Sequence, residues 1–293
     1  MKKIESSFQS HGLRCTATLM LPDTAQRPPV ILMAHGFGAV RAAGLDAFAE
    51  RFVAAGYAAF LFDYRSFGDS DGEPRQWVSP RRHLQDWEAA LSHVRKLPTV
   101  DSSRLVLWGT SFSGGHVIQT AAKDQGVHAV IAQVPHVSGL ASLLEVPLRS
   151  SLLLGLAGLL DLVGGPLGHP VYRPIVGHPG EVAAMSSAES WGGYMKLFPE
   201  HVRWENKTRA RVFLELPFYS PIHYARQVKA PTLIIAGRID TVTPARAAEA
   251  AAARIPRGRF KLLECNHFQP YVGEVFEQNI ALQLDFLQEV MSY

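Results

Sequence analysis

The chain has 293 residues, 47% of them apolar and 19% charged, with 24 glycines and 19 prolines. These figures fit a globular protein rich in turns and exclude fibrous and low-complexity classes. The formal net charge is +3, from 29 basic and 26 acidic residues scattered without a stripe, which argues against a nucleic-acid partner.

Two lysines open the chain in MKKIESSFQSHG, but no apolar segment follows them, so the stretch does not read as a secretory signal. Cys15 and Cys265 stand alone. They form neither a disulfide framework nor a metal-ligand spacing, and they fit a reducing compartment as small buried side chains. A cytoplasmic protein is expected.

In chain order, SSFQSHGLRCTATLMLP (6–22) alternates about a glycine turn and predicts an antiparallel hairpin at a sheet edge. PPVILMAHG (28–36) is a continuous apolar run ending in a turn, as a strand buried on both faces should be. Helical spacing follows over 45–56. The alternation repeats: strand 57–64, helix 80–98, strand 104–109, helix 114–123, strand 127–135. It resumes with strand 230–237, helix 244–255, strand 259–265 and helix 273–291. Strands separated by helical patterns imply right-handed crossovers and a mainly parallel sheet.

Residues 138–217 break this rhythm. They are first leucine-rich and then loaded with glycine, proline and aromatics such as Trp191, Tyr194, Phe198 and Trp204. So long a stretch is expected to be a cap inserted into a core made of 1–137 and 218–293. Its apolar run 140–165 is interrupted by Glu145, Pro147, Arg149 and Asp161, which predicts a mobile apolar helical flap and no membrane span.

In a parallel sheet, ligands bind beyond the carboxyl ends of the strands. Four strand ends are chemically notable: His35-Gly36-Phe37-Gly38, Gly109-Thr110-Ser111, Gly237-Arg238-Ile239-Asp240 and Cys265-Asn266-His267. A serine hydroxyl becomes a nucleophile when an imidazole removes its proton, and a carboxylate orients that imidazole.

The motifs HGFG (35–38), FDYRSFGDSDG (62–72), GTSFSGG (109–115), AGRIDTVTP (236–244) and NHF (266–268) together resemble the α/β-hydrolase superfamily. The likeness is to its esterase and X-Pro-dipeptidyl-peptidase-like (S15-like) members in particular. It spans residues 30 to about 137 and about 218 to 290 and leaves the insertion uncovered. It implies an α/β-hydrolase fold, with helices on both faces of a mainly parallel sheet.

Two serines compete for the nucleophile position. The elbow of this superfamily needs small residues two before and two after the nucleophile, and both Ser111 and Ser113 meet that test. Register separates them. The apolar strand ends at Trp108, which places Ser111 on the sharp turn and Ser113 in the first turn of the helix. Ser111 is therefore the expected nucleophile, with Ser113 standing where the template has glycine.

The resemblance implies Asp240 as the acid, His267 as the base, and the backbone amides of Phe37 and Phe112 as the oxyanion hole. The side chains of Phe37 and Phe112 are candidates for lining the substrate site. His35 and His136 also lie at strand ends, and His35 reads as a structural partner of the oxyanion loop. GDSDGEP (68–74) lacks the spacing of a calcium loop, GFGAVR has Arg41 where a dinucleotide fingerprint has glycine, and no zinc spacing occurs. No cofactor or metal is expected.

These residues predict a serine carboxylesterase acting on small-molecule esters with an apolar group, and a homodimer is compatible with the sequence. An acyltransferase or a peptidase could use the same three residues. A dehalogenase is disfavoured because its nucleophile in this fold is aspartate. A non-catalytic ligand receptor on the same fold is the alternative from another class.

Overall fold

Six of the runs that read as strands line up in one sheet in a computed structural model of the chain, which describes every residue except 25, 201, 203 and 293. Among these residues β1 (Lys2–Ser10), β2 (Leu13–Leu21), β3 (Pro29–Ala34), β4 (Ala58–Phe62), β5 (Asp101–Thr110) and β6 (Ala129–Gln133) come first in the chain. The short pair β7 (Tyr172–Arg173) and β8 (Thr208–Arg209) forms a separate two-stranded sheet, and β9 (Thr232–Gly237) and β10 (Gly258–Leu263) follow. The large sheet runs β1-β2-β4-β3-β5-β6-β9-β10, parallel from β4 onward, with the hairpin β1–β2 antiparallel at one edge.

The central strands are apolar on both faces because both faces are covered. Val30, Leu32, Leu105 and Leu107 point into one core layer, while Ile31, Met33, Val106 and Trp108 point into the other, following the two-residue period of a strand. Helices α1 (Leu45–Ala54) and α9 (Gly273–Met291) cover the second layer with Phe48, Phe52, Ile280 and Phe286. The first layer is covered by α2 (Pro80–Val94), α3 (Phe112–Lys123) and α8 (Ala245–Ala252), which contribute Trp87, Val117 and Ala251. The helices after β3 and β5, adjacent strands, thus leave to opposite faces. That divergence opens a crevice at the carboxyl ends of β3 and β5, the switch point at which open α/β sheets bind ligands.

Between β6 and β9, residues 138–217 hold α4 (Gly139–Leu143), α5 (Leu148–Gly164), α6 (Ser190–Met195), α7 (Val212–Glu215) and the β7–β8 pair. Buried Asp161 on α5 accepts hydrogen bonds from Arg209 (2.6 Å), Arg211 (2.7 Å) and the amide of Val171 (2.9 Å), which fastens one side of the helix. The other side exposes Leu152, Leu156, Leu160 and Val163. A 3-10 turn extends the helix, and over Leu148–Leu167 it is long and apolar enough, by length and composition, to cross a membrane. Arg149 and Asp161 lie within that stretch, so its longest uncharged run is 150–160.

Candidate active site

Strand β5 turns into α3 within one residue, and that residue is Ser111. Its φ of 55° and ψ of −119° lie in a region that non-glycine residues seldom occupy and that costs about 1–3 kcal/mol. Neighbouring main chain holds it there. The Ser111 amide donates to the Gln133 carbonyl (2.9 Å), and the Ser111 carbonyl accepts from the amides of His136 (2.9 Å) and Gly114 (3.0 Å). Close approach explains the glycines on either side. A Cβ at position 109 would stand 2.3 Å from the Ser113 carbonyl oxygen, and one at position 115 would stand 2.1 Å from that of His136.

The two serines face different partners. Ser111 Oγ lies 3.0 Å from His267 Nε2, whereas Ser113 Oγ is fully buried and accepts from the Tyr64 hydroxyl (3.0 Å), which accepts in turn from Trp87 Nε1 (2.9 Å). His267, in the turn after β10, donates from Nδ1 to Asp240 Oδ2 at 2.7 Å. A carboxylate only accepts, so this bond assigns the proton to Nδ1 and leaves Nε2 as the acceptor facing Ser111. Asp240, in the turn after β9, is itself fixed. Its Oδ1 accepts from the amides of Val242 (2.8 Å) and Thr243 (2.7 Å), and its Oδ2 from the Thr243 hydroxyl (2.9 Å). The Asp240 and His267 side chains are almost completely buried.

Phe112 is the first residue of α3, so its amide belongs to the helix's unpaired N-terminal donors. Phe37 follows the turn after β3, and its carbonyl accepts from the Tyr194 hydroxyl (2.8 Å), while Trp204 Nε1 donates to the Gly38 carbonyl (2.8 Å). The rings of Phe37 and Phe112 meet edge to face at 5.4 Å. Phe37 lines the cavity over Ser111; the ring of Phe112 packs among His116, His136 and Tyr219.

That cavity measures about 20 Å³, space for one water-sized group. Met185, Tyr194 and Leu197 from the insertion form its outer wall, with Phe268 beside them. The space in front of Ser111 is therefore narrow, with side chains of the insertion on its wall.

Behind the site lies a group of buried histidines. His35 Nδ1 is 3.0 Å from the Gly36 carbonyl, and burial lowers its pKa to about 4 against the opposing pull of Asp63. Burial lowers His136 to about 4 as well, and holds His83 and His116 well below the ordinary value. The motif residues set aside on sequence have scaffold roles here. Arg41 pairs with Asp63 through its amide (2.7 Å) and guanidinium, and Ser70 of GDSDGEP donates to the Asp63 carbonyl (2.8 Å). Both cysteines are buried and free, and burial raises the Cys265 thiol to about 11.

Two participants escaped the sequence reading. Thr243 lies three residues after Asp240, an Asx-turn spacing that could have revealed it. Glu189 immediately precedes α6 and accepts from the main chain of both the Asp240 and His267 turns. Nothing in MSSAESWGG signals this.

Among known proteins, a family model described as serine aminopeptidase, S33, matches residues 25–268. The chain is similar to the quorum-quenching protein AidA of Acinetobacter baumannii, at 40% identity over 290 residues, 98% of this chain and 95% of that one. It is similar to the polyketide transferase af380 of Aspergillus fumigatus at 27% identity over 278 residues, 91% of each chain. The crystal structure of the α/β hydrolase GrgF from Penicillium sp. sh18 superposes with a TM-score of 0.85 at 22% identity, covering 100% of both chains. The matching model is that of S33 rather than of the X-Pro-dipeptidyl-peptidase-like branch expected from the motifs, and the α/β-hydrolase fold is shared throughout.

Proposed function

The chain belongs to the serine aminopeptidase, S33, family of α/β hydrolases, and from that premise we propose that it cleaves carboxylic esters of small apolar molecules through an acyl-enzyme on Ser111. The observation that carries this reading is the alignment of Ser111, His267 and Asp240 at 3.0 and 2.7 Å across three strand ends. His267 Nε2 takes the Ser111 proton as Oγ attacks the ester carbonyl. The amides of Phe37 and Phe112 donate to the oxyanion, and His267 returns the proton to the leaving alcohol. Water then attacks the acyl-enzyme by the same steps in reverse. Asp240 orients His267 and stabilises its imidazolium form throughout. The walls formed by Phe37, Met185, Leu197 and Phe268 favour an apolar acyl or alcohol group.

A second reading, acyl transfer, has its own support in the whole-length relative named as a polyketide transferase. In that reading an alcohol, thiol or amine takes the place of water in resolving the acyl-enzyme. Both readings share the first half-reaction.

A fluorophosphonate probe is expected to label the wild-type protein stoichiometrically, and p-nitrophenyl esters are expected to turn over while an aminoacyl anilide does not. Added alcohol that diverts acyl groups to new ester identifies the transferase. No labelling would favour a non-catalytic receptor, and faster anilide cleavage would favour a peptidase.

A further inference from the structure

Glu189 connects the two turns that carry the acid and the base. Its Oε1 accepts from the Thr241 amide (2.9 Å) and the Thr241 hydroxyl, and its Oε2 accepts from the His267 amide (3.1 Å). Thr241 directly follows Asp240 and leads into the amides of Val242 and Thr243 that grip Asp240 Oδ1. Both ends of the Asp240–His267 contact are therefore braced, through main chain, by one side chain from the inserted segment. The helix that follows sits directly on the base turn: a Cβ on Gly193 would come within 2.5 Å of the Phe268 ring.

We propose that Glu189 is a positioning residue, setting the separation of the two turns so that the Asp240–His267 contact forms only when α6 is seated. The inference rests on the roles given to Ser111, Asp240 and His267 above. Glu189 bonds main-chain groups and acts through His267, not on the reacting atoms. Met185 and Tyr194, on either side of it in sequence, line the cavity of about 20 Å³ over Ser111. Seating of the segment against the cavity wall is thereby coupled, through the Glu189 bonds, to alignment of the base.

Glu189→Ala is expected to lower kcat for a p-nitrophenyl ester about 10- to 100-fold, the penalty of a base displaced by about an ångström, with KM nearly unchanged. A double-variant cycle separates positioning from general support. In an Asp240→Asn background, Glu189→Ala should slow fluorophosphonate labelling of Ser111 by less than about twofold, because the contact it sets is already impaired. Full multiplication of the two losses would overturn the proposal.

The low-field proton resonance of the His267 Nδ1–H should move upfield or broaden in Glu189→Ala. The same is expected in Glu189→Gln, which keeps the volume but turns an amide NH₂ toward either the Thr241 or the His267 donors, and which carries the test if the alanine variant fails to fold. An unchanged resonance in a folded variant overturns the proposal. This readout needs no turnover. A protein that cleaves no ester yet shows the Glu189-dependent resonance would refute the hydrolase reading while supporting the positioning role.

Discussion

Ser111→Ala is expected to reduce kcat for ester hydrolysis by about four to six orders of magnitude, leaving only what the oxyanion donors and substrate binding supply. The expectation follows from position. Ser111 Oγ is 3.0 Å from His267 Nε2, on a turn whose positive φ places the side chain at the head of α3. Ser113→Ala should behave differently although it lies two residues away. It removes the acceptor for the Tyr64 hydroxyl in a fully buried site, so it should lower stability by about 1–3 kcal/mol in urea denaturation. Its kcat should stay within about threefold of wild type, since the Ser113 hydroxyl bonds Tyr64 and not Ser111, His267 or Asp240. Equal losses of activity in the two variants would contradict the assignment.

Acidification is expected to destabilise the protein steeply between pH 7 and pH 5. His35 and His136 fall from an ordinary 6.5 to about 4, chiefly through burial, and His83 and His116 are lower still for the same reason. A histidine kept neutral in the fold but free to charge when unfolded contributes no penalty above 6.5. Below that value the unfolded chain binds the extra proton, and stability falls with pH until the folded group titrates too. At pH 5 each such histidine removes about 2 kcal/mol, so four approach about 8 kcal/mol. That is comparable with the about 5–15 kcal/mol that holds a domain together. Burial raises the pKa values of Asp86 and Glu215, a contribution of opposite sign as the pH falls. The urea midpoint at pH 5 should therefore lie far below that at pH 7.5, and equal midpoints would contradict the neutral buried histidines.

The strands that carry the site were readable because burial on both faces leaves an unbroken apolar run: VILMA, AAFLF, AVIAQ and TLIIAG appear in the fold as they read in the chain. Their ends follow from the turns after them, which is why Ser111 could be told from Ser113. Edges were less legible. Strand β1 begins at Lys2 rather than Ser6 because an edge strand needs only one apolar face, and its KKIE start looks like surface. Strand β5 begins at Asp101 because the Asp101 amide finds the Pro28 carbonyl (2.8 Å), a pairing that composition cannot reveal. In the insertion, β7 and β8 have two residues each and no period to detect. Glu189 stayed hidden for a related reason. It bonds to main-chain amides 52 and 78 residues away, and any loop can offer an amide.

The acyl-enzyme itself gives the most direct test. Wild-type protein mixed with p-nitrophenyl acetate, quenched in acid within the first turnover and digested for mass spectrometry, should carry one acetyl group on the peptide spanning β5 and α3, with fragment ions placing it on Ser111. An acetyl group on Ser113 or on another residue, or ester turnover with no adduct trapped under any quench time, would contradict covalent catalysis at Ser111.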